Sequence, residues 1–340
     1  MHSEWLGKNF TSPRYATASG RLFNVRCRLI RHMATVDIIV PSYGRSDILG
    51  RCLTALLQQH FRDVEVLCVC RTNDADTKKI IEEFRSRDSR IREVPVSAPG
   101  FVAALNAGLK SAQAPFVAFT DDDAEAPPQW METIINHFAA HPECGAAGGP
   151  DRLQVAKESF RNPPPAKKVG VYSWTGKWHA THHCPIREEF LRVQILKGVN
   201  MVYRYELIRG MEIGEGLNSL MCTEPGIAAR VRKNGFELHF LRDAWVLHHC
   251  APRQESEDRT NSATAFAVQT TSNYAYTLWR YQPLFLALVV QIRNLVIGSR
   301  HIPGILRVPV APAKASLAFR HSRASLDGAW RGLLARFGCA

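Results

Sequence analysis

The sequence predicts an α/β fold: a doubly wound, mostly parallel sheet flanked by helices, with a helical, basic C-terminal tail. Three observations carry that prediction. Short β-branched runs alternate with stretches of 3–4-residue apolar period through roughly the first 120 residues. The connections between them are short. The apolar runs also end in polar residues of the kind that line a ligand-binding sheet edge.

Val36-Asp37-Ile38-Ile39-Val40 is the first strand, closed by Pro41-Ser42-Tyr43-Gly44-Arg45. Ile48, Leu49, Cys52, Leu53, Leu56 and Leu57 then recur at helical spacing. Val64–Cys70 is a second strand, followed by the polar turn Arg71-Thr72-Asn73-Asp74. A charged helix is expected over 75–87, a short strand over Ile91–Val94, and a small-residue helix from Phe101 to Ala112. Phe116-Val117-Ala118-Phe119-Thr120 reads as a buried strand, and it runs straight into Asp121-Asp122-Asp123.

Three adjacent carboxylates repel one another and lose hydration wherever a strand end is sheltered. A hard divalent ion, which prefers oxygen ligands, relieves that repulsion. The plainer reading is a solvated acidic turn with Asp as an N-cap. Three strand ends bearing Pro-Ser-Tyr, Asn-Asp and Asp-Asp-Asp would share one sheet edge, where a nucleotide pocket is expected. No Gly-x-Gly-x-x-Gly or Walker-type loop is present, so phosphates would be held through a metal.

Further along, Trp130–Phe138 reads as a helix and 144–149 as a small-residue strand and turn. Asn162-Pro163-Pro164-Pro165 breaks regular structure within a long excursion over about 151–192. His179, His182, His183 and Cys184 are a candidate metal cluster, but no second ligand group has matching spacing, so an acceptor loop rich in Trp and His is preferred. Strands are expected at 236–240 and 246–249, and a helix over 273–281. Leu284–Val290 is apolar, yet the run is broken by Gln291, Arg293 and Asn294, short of the ~20 apolar residues a span needs.

The composition, 46% hydrophobic and 22% charged, is that of a globular protein long enough for a real core. The net charge of +12 sits at the ends: residues 1–34 carry +5 and 281–340 carry +7. Such ends fit an anionic membrane surface better than a nucleic-acid groove, with solvated basic tails as the alternative. Nine cysteines lie scattered without Cys-x-x-Cys pairs, which suggests reduced thiols and a cytoplasmic setting; the basic, apolar tail adds the expectation of a peripheral place at the inner face of the membrane. Residues 1–33 lack the apolar core of a signal peptide, and Met33 is a candidate start of the folded unit.

Several motifs in order resemble the inverting, family-2 glycosyltransferases of GT-A-type fold. They are Val-Asp-Ile-Ile-Val-Pro-Ser-Tyr-Gly-Arg at 36–45, Gly-Phe-Val-Ala-Ala-Leu-Asn-Ala-Gly-Leu at 100–109, Phe-Thr-Asp-Asp-Asp-Ala-Glu-Ala-Pro-Pro-Gln-Trp at 119–130, Gly-Val-Asn-Met at 198–201 and Thr-Glu-Pro-Gly-Ile-Ala-Ala-Arg-Val-Arg-Lys-Asn-Gly at 223–235. The resemblance implies that Pro41, Ser42, Tyr43 and Arg45 hold the donor's base and ribose. Asn106, Gly198 and Asn200 join the nucleotide-sugar site, and Asp74 stands in for the family's base-gripping Asp after the second strand. Asp121 and Asp123 match the metal-binding Asp-x-Asp, with Mg²⁺ or Mn²⁺ as the ion, while Asp122 faces ribose or sugar unless the register slips by one. Glu224 falls at the general-base position, fixed by Arg230 and Gly235; helix capping is its plainer role. His248 or His249 matches a His near the diphosphate or metal.

The implied activity is transfer of a single sugar from a nucleotide diphosphate sugar, UDP-linked by expectation, to a glycan or lipid-linked acceptor. Surface polysaccharide or glycolipid synthesis is the expected setting, without nucleic acid. The Gln-x-x-Arg-Trp signature of processive synthases is absent. A nucleotidyltransferase, or a non-catalytic nucleotide-sugar-binding module, is the alternative. The expected organisation is a basic extension over 1–34, a GT-A-type domain over 35–260 (nucleotide half 35–130, acceptor and catalytic half 131–260), and a helical basic segment over 261–340, possibly an interfacial anchor.

Overall fold

The structure is a computed structural model that describes residues 34–154, 163–217, 222–250, 263–298, 304–309 and 315–338. In chain order the elements are β1 (Val36–Ser42), α1 (Ser46–Leu57), β2 (Val64–Arg71), α2 (Ala75–Arg87), β3 (Ile91–Val96), α3 (Phe101–Ser111) and β4 (Phe116–Phe119). Then come β5 (Ala124–Glu125), α4 (Trp130–Ala140), β6 (Cys144–Gly148), β7 (Asp151–Leu153), β8 (Val171–Tyr172), β9 (Trp178–His179), β10 (Phe190–Val193), β11 (Met201–Arg204) and α5 (Tyr205–Ile208). The remainder is α6 (Glu224–Lys233), β12 (Glu237–Leu241), β13 (Val246–His248), α7 (Ala263–Tyr281), α8 (Leu284–Val296), a 3₁₀ turn at Ile305–Arg307 and α9 (Ala315–Arg336).

The central sheet has eight strands in the order β10-β12-β6-β11-β4-β1-β2-β3. β1, β2, β3 and β4 are parallel, as their alternation with helices requires. β11 inserts antiparallel between β4 and β6, and β10 closes the far edge antiparallel to β12. Strands such as Val36-Asp37-Ile38-Ile39-Val40 are fully buried because helices cover both faces. One apolar layer joins α1 and α4 to the sheet through Leu49, Leu53, Trp130 and Ile134; the other joins α3 and α6 through Leu105, Leu109, Ile227 and Val231. The small residues of α3 have a packing cause. A Cβ at Gly108 would come within 2.4 Å of Ile39 Cγ2, so only glycine lets this helix lie so close on β1.

A second, three-stranded sheet, β5-β13-β7, is built from two- and three-residue strands. Of its strands only β13 was expected from the sequence, and the sheet matters for the site. Pairing of Leu247 with Glu125 and His248 with Ala124 lays β13 beside the chain leaving the aspartate run.

The C-terminal helices are docked rather than trailing. α9 lies on α7 through glycines: a Cβ on Gly328 would reach 2.0 Å from Ser272 O, and one on Gly332 would reach 2.4 Å from Tyr276 O. Gln291 donates to Ser325 Oγ at 3.0 Å, and Arg336 donates to the carbonyls of Trp279 and Gln282, each at 2.8 Å. α7 also reaches the body of the protein, where Tyr276 Oη donates to Glu215 O at 3.4 Å and the Tyr281 ring covers Gly226 of α6. No helix among the described residues is long and apolar enough to cross a membrane. The seven described cysteines are free thiols. Nearly all of the expected N-terminal extension, residues 1–33, lies outside the described residues, as do 155–162 of the proline-rich excursion.

Candidate active site

The carboxyl ends of β1, β2 and β4 open onto a cavity of about 510 Å³. Its walls include Pro41, Ser42, Tyr43 and Arg45 from the loop after β1, Asp121, Asp122 and Asp123 after β4, the turn at Lys197-Gly198-Val199, and Thr223 and Glu224 at the start of α6. Nine of the twelve residues singled out from the sequence thus share one hollow. The acid trio and the glutamate a hundred residues later line the same walls.

The trio divides by partner. Asp122 is buried and accepts from Ser42 Oγ at 2.7 Å and from Arg45 Nη1 at 2.9 Å. Burial pushes its proton affinity up, and Arg45 and Ser42 pull it partly back. Asp121 and Asp123 turn instead toward His248, whose Nε2 lies 3.3 Å from Asp123 Oδ1 and 4.0 Å from Asp121 Oδ2. These three offer ligand atoms within 4.8 Å of one another. About a third of the Asp121 side chain is exposed, into the cavity it lines. Desolvation, opposed by His248 and reinforced by its two acidic neighbours, pushes its carboxyl up to about 6.

His248 carries the complementary shift. Burial disfavours its charge, but Asp123, Asp151 and Asp121 outweigh that and raise the imidazole to about 10. Without a cation it is therefore the imidazolium that balances the carboxylates. Its Nδ1 lies 3.6 Å from Asp151 Oδ2, an ion-pair distance rather than a hydrogen bond. Asp151 is fully buried, pairs with Lys197, and keeps Oδ1 without a hydrogen-bond partner. The groups present fit a divalent ion: two crowded carboxylates, one imidazole, and an orphaned buried oxygen behind them.

Lys197 and Asp151 were missed by sequence reasoning. Each is an isolated residue, and only the pairing of β7 with β13 and the turn before β11 brings them together. That turn is held down by Thr120 Oγ1, which donates to Val199 O at 3.0 Å. Gly198 gives Glu224 its room: a Cβ there would stand 3.2 Å from Glu224 Oε1. Glu224 occupies the first turn of α6, with Pro225 behind it and Thr223 Oγ1 donating to Oε2 at 3.3 Å. Cys222, also in the wall, sits at φ 73; burial and Glu224 push its thiol up to about 12, so it is no nucleophile at neutral pH.

Three expected donor residues are employed elsewhere. Asp74 accepts from Gly44 N at 2.6 Å and from Thr77 N and Oγ1 at 3.1 and 2.6 Å, tying the β1 loop to the start of α2. The side chain beside the donor wall at that strand end is Arg71, stacked 5.4 Å over the Tyr43 ring. Asn106 exchanges hydrogen bonds with Ile213 and donates to Glu212, pinning the loop before α6. Asn200 accepts from Trp130 Nε1 at 3.0 Å and donates to Gly149 O and Ala244 O. None of the three lines the cavity. Of the two candidate histidines, His248 faces the trio, while His249 bonds Glu125 at 2.7 Å. His179, His182, His183 and Cys184 do not gather as ligands among the described residues; His182 is spent on Ile195 O at 2.9 Å.

The sequence model of the family described as Glycosyl transferase family 2 matches residues 37–208, half of the chain. The chain belongs to that family. This family-2 glycosyltransferase is 33% identical over 88 residues to the uncharacterized glycosyltransferase EpsJ of Bacillus subtilis, a match covering 26% of each protein. It is 30% identical over 105 residues to the Campylobacter jejuni GalNAc(5)-diNAcBac-PP-undecaprenol beta-1,3-glucosyltransferase, covering 30% of this chain and 34% of that one. The aligned part is thus about a quarter to a third of these relatives' length.

Two solved structures share its fold. The mannosyltransferase PcManGT from Pyrobaculum calidifontis, in complex with GDP-Man and Mn²⁺, superposes with a TM-score of 0.51 at 14% identity over 90% of this chain and 88% of that one. GalNAc-T7 with UDP, GalNAc and Mn²⁺ superposes with a TM-score of 0.59 at 13% identity, covering 86% of this chain and 55% of that one. The expected GT-A-type, mostly parallel sheet with a helical C-terminal region is the fold observed, with β10 and β11 as its antiparallel members.

Proposed function

We propose that this glycosyltransferase moves a single sugar from a nucleotide diphosphate sugar to an acceptor hydroxyl, with inversion at the anomeric carbon and with a divalent metal. The observation that carries the reading is the shared cavity, which Glu224 lines together with the Asp121, Asp123 and His248 cluster. The base and ribose would lie along Pro41, Ser42 and Tyr43, with Arg71 on the Tyr43 face. Asp122, held by Ser42 and Arg45, keeps that loop beside the trio.

Glu224 accepts the proton of the acceptor hydroxyl as its oxygen attacks the anomeric carbon. The diphosphate leaves from the opposite face, and configuration inverts. Asp121 and Asp123, with His248, would hold Mn²⁺ or Mg²⁺, whose chemistry there is neutralisation of charge on the departing diphosphate. An imidazole among the donors favours Mn²⁺ over Mg²⁺. The solved neighbours bound to GDP-Man and to UDP, each with Mn²⁺, support a nucleotide sugar donor; UDP is the base this reading takes.

For the acceptor, the undecaprenol-linked substrate in the name of the Campylobacter relative supports a lipid-linked glycan, and with it surface polysaccharide or glycolipid synthesis at the inner face of the membrane. The surface supports the same setting. Apart from Trp174, every exposed large apolar side chain among the described residues falls between Leu284 and Phe337. Leu284, Phe285, Leu288 and Ile292 share one face of α8, and Phe319, Leu326 and Trp330 share a stripe of α9, beside Arg320 and Arg323, with Phe337 just past its end. Because α7–α9 pack on the body, the proper test is Phe285→Ser with Trp330→Ser rather than truncation; co-sedimentation with anionic vesicles should fall, and unchanged binding would remove the membrane from the reading.

Donor and metal are tested together by thermal shift with UDP- and GDP-sugars, with and without Mn²⁺. A melting rise that requires both nucleotide sugar and metal is expected, since a ligand of the native state stabilises it. A rise with the nucleotide sugar that persists in chelator would contradict metal dependence. Proton NMR of the product's anomeric centre reads inversion directly.

A further inference from the structure

We propose that His137, His141 and His239 form a second metal site, for Zn²⁺ or a similar borderline ion, at the end of the sheet opposite the donor cavity. His137 and His141 lie one helical turn apart in and just after α4, so both project from one face. His239 comes from β12, a hundred residues later, and the three imidazoles offer ring nitrogens within 4.8 Å of one another. Cys144 N donates to His141 O, which places the cluster at the amino end of β6; the acid trio lies past the carboxyl end of the parallel β4. None of the three lines the cavity.

The surroundings of these rings are those of metal ligands. His137 Nε2 and His239 Nδ1 meet at 2.8 Å in the protein interior, His239 being fully buried. His239 Nε2 lies 2.9 Å from Glu237 Oε2, and His141 Nδ1 lies 3.0 Å from Glu143 Oε1. A carboxylate on one ring nitrogen fixes the tautomer and turns the other nitrogen's lone pair toward the cluster, the usual outer arrangement of a metal-binding histidine. Phe190 stacks on His239 at 4.4 Å and closes the apolar side. His141, with 28% of its side chain exposed, leaves an entry from solvent.

Three imidazoles favour Zn²⁺, Ni²⁺ or Cu²⁺ over the oxygen-seeking Mg²⁺ and Mn²⁺ of the donor site. With Glu237 and Glu143 held on the far ring nitrogens, a water completes four-coordination. The ion would pin the end of α4 to β12, a structural role that leaves the transfer chemistry untouched.

The test uses the untagged full-length chain carrying Asp123→Asn, which weakens the donor site, stripped with chelator and then dialysed against Zn²⁺ alone. About one zinc per chain should remain, and zinc should raise the melting temperature by several degrees. Adding His141→Ala, at a partly exposed position that folding tolerates, should weaken zinc binding on the order of 100-fold. Co²⁺ added to the stripped chain should give the visible bands of a four-coordinate, nitrogen-rich site, lost in His141→Ala, and this needs no substitution in the core. Failure of the Asp123→Asn chain to retain zinc, or equal retention with and without His141, would overturn the proposal and mark the three histidines as a hydrogen-bonded packing cluster.

Discussion

Arg45 Nη1 donates to Asp122 Oδ1 at 2.9 Å, and this pair removes the middle carboxylate of the acidic run from competition for a cation. Asp121 and Asp123 face His248, with Asp123 Oδ2 also 3.8 Å from Arg45 Nη1, which supports our proposal that the cation sits on the outer two residues of the run. Removing the guanidinium strands Asp122 in the interior. Arg45→Ala should therefore lower stability by about 3 kcal/mol, the scale for breaking one side of a buried pair. Urea denaturation checks it, with Arg45→Lys expected to fall in between.

The charge shifts fix a pH dependence for the chelated protein. Asp121 binds its proton more tightly folded, about 6, than at its ordinary 3.8, so stability from it is lost as pH rises through that interval. His248, raised from 6.5 to about 10, contributes stability that is complete below 6.5 and lost as pH climbs through 10. Both act in one direction. The denaturation midpoint should fall from about pH 4 to pH 10, below pH 6 through Asp121 and above it through His248, and His248→Gln should flatten the part above pH 6.

If the cation takes the place of the His248 proton, binding releases that proton. Mn²⁺ affinity should then tighten by about tenfold per pH unit between pH 7 and 9. Calorimetry in buffers of different ionisation enthalpy measures the released proton. A flat affinity would mean that His248 stays an imidazolium outside the ion's shell.

Asn200 looked from the sequence like a sugar contact and is instead a core tether joining Trp130 to the carbonyls of Gly149 and Ala244. Asn200→Ala should cost about 3 kcal/mol in the absence of any ligand, because it leaves buried groups unpaired. A variant of normal stability with weakened donor binding would restore the sequence-based reading.

That contrast marks what could be read in advance. The parallel strands and the helices between them were legible because burial on both faces writes continuous β-branched runs, and amphipathic helices write a 3.6-residue period. The helix over 75–87 appears at those bounds. β13 was expected at 246–249 and appears at Val246–His248, whereas β5, β7 and β11 were not legible, since their short runs lack a continuous β-branched or alternating pattern. For the site, the resemblance selected nine residues that meet at one cavity. Asp74, Asn106 and Asn200 went elsewhere because a residue type states that a side chain can hydrogen-bond, not with whom. His137 and His141 show a helical ligand spacing, but the third imidazole of that cluster is supplied only by the fold.

Gly198 is a quieter test of the room around Glu224. Gly198→Ala would set a Cβ 3.2 Å from Glu224 Oε1 and move that carboxylate by a few tenths of an ångström. Turnover should drop by roughly tenfold with donor KM little changed, as expected when a reacting group is misplaced.

The central claim is that Glu224 takes the acceptor's proton across the cavity from the cation site. Glu224→Gln keeps the shape of that side chain and removes its basicity. Measured side by side, transfer from the donor sugar should fall on the order of 10³-fold while Mn²⁺-dependent binding of the donor is retained. Transfer at near the original rate, with binding intact, would contradict the account.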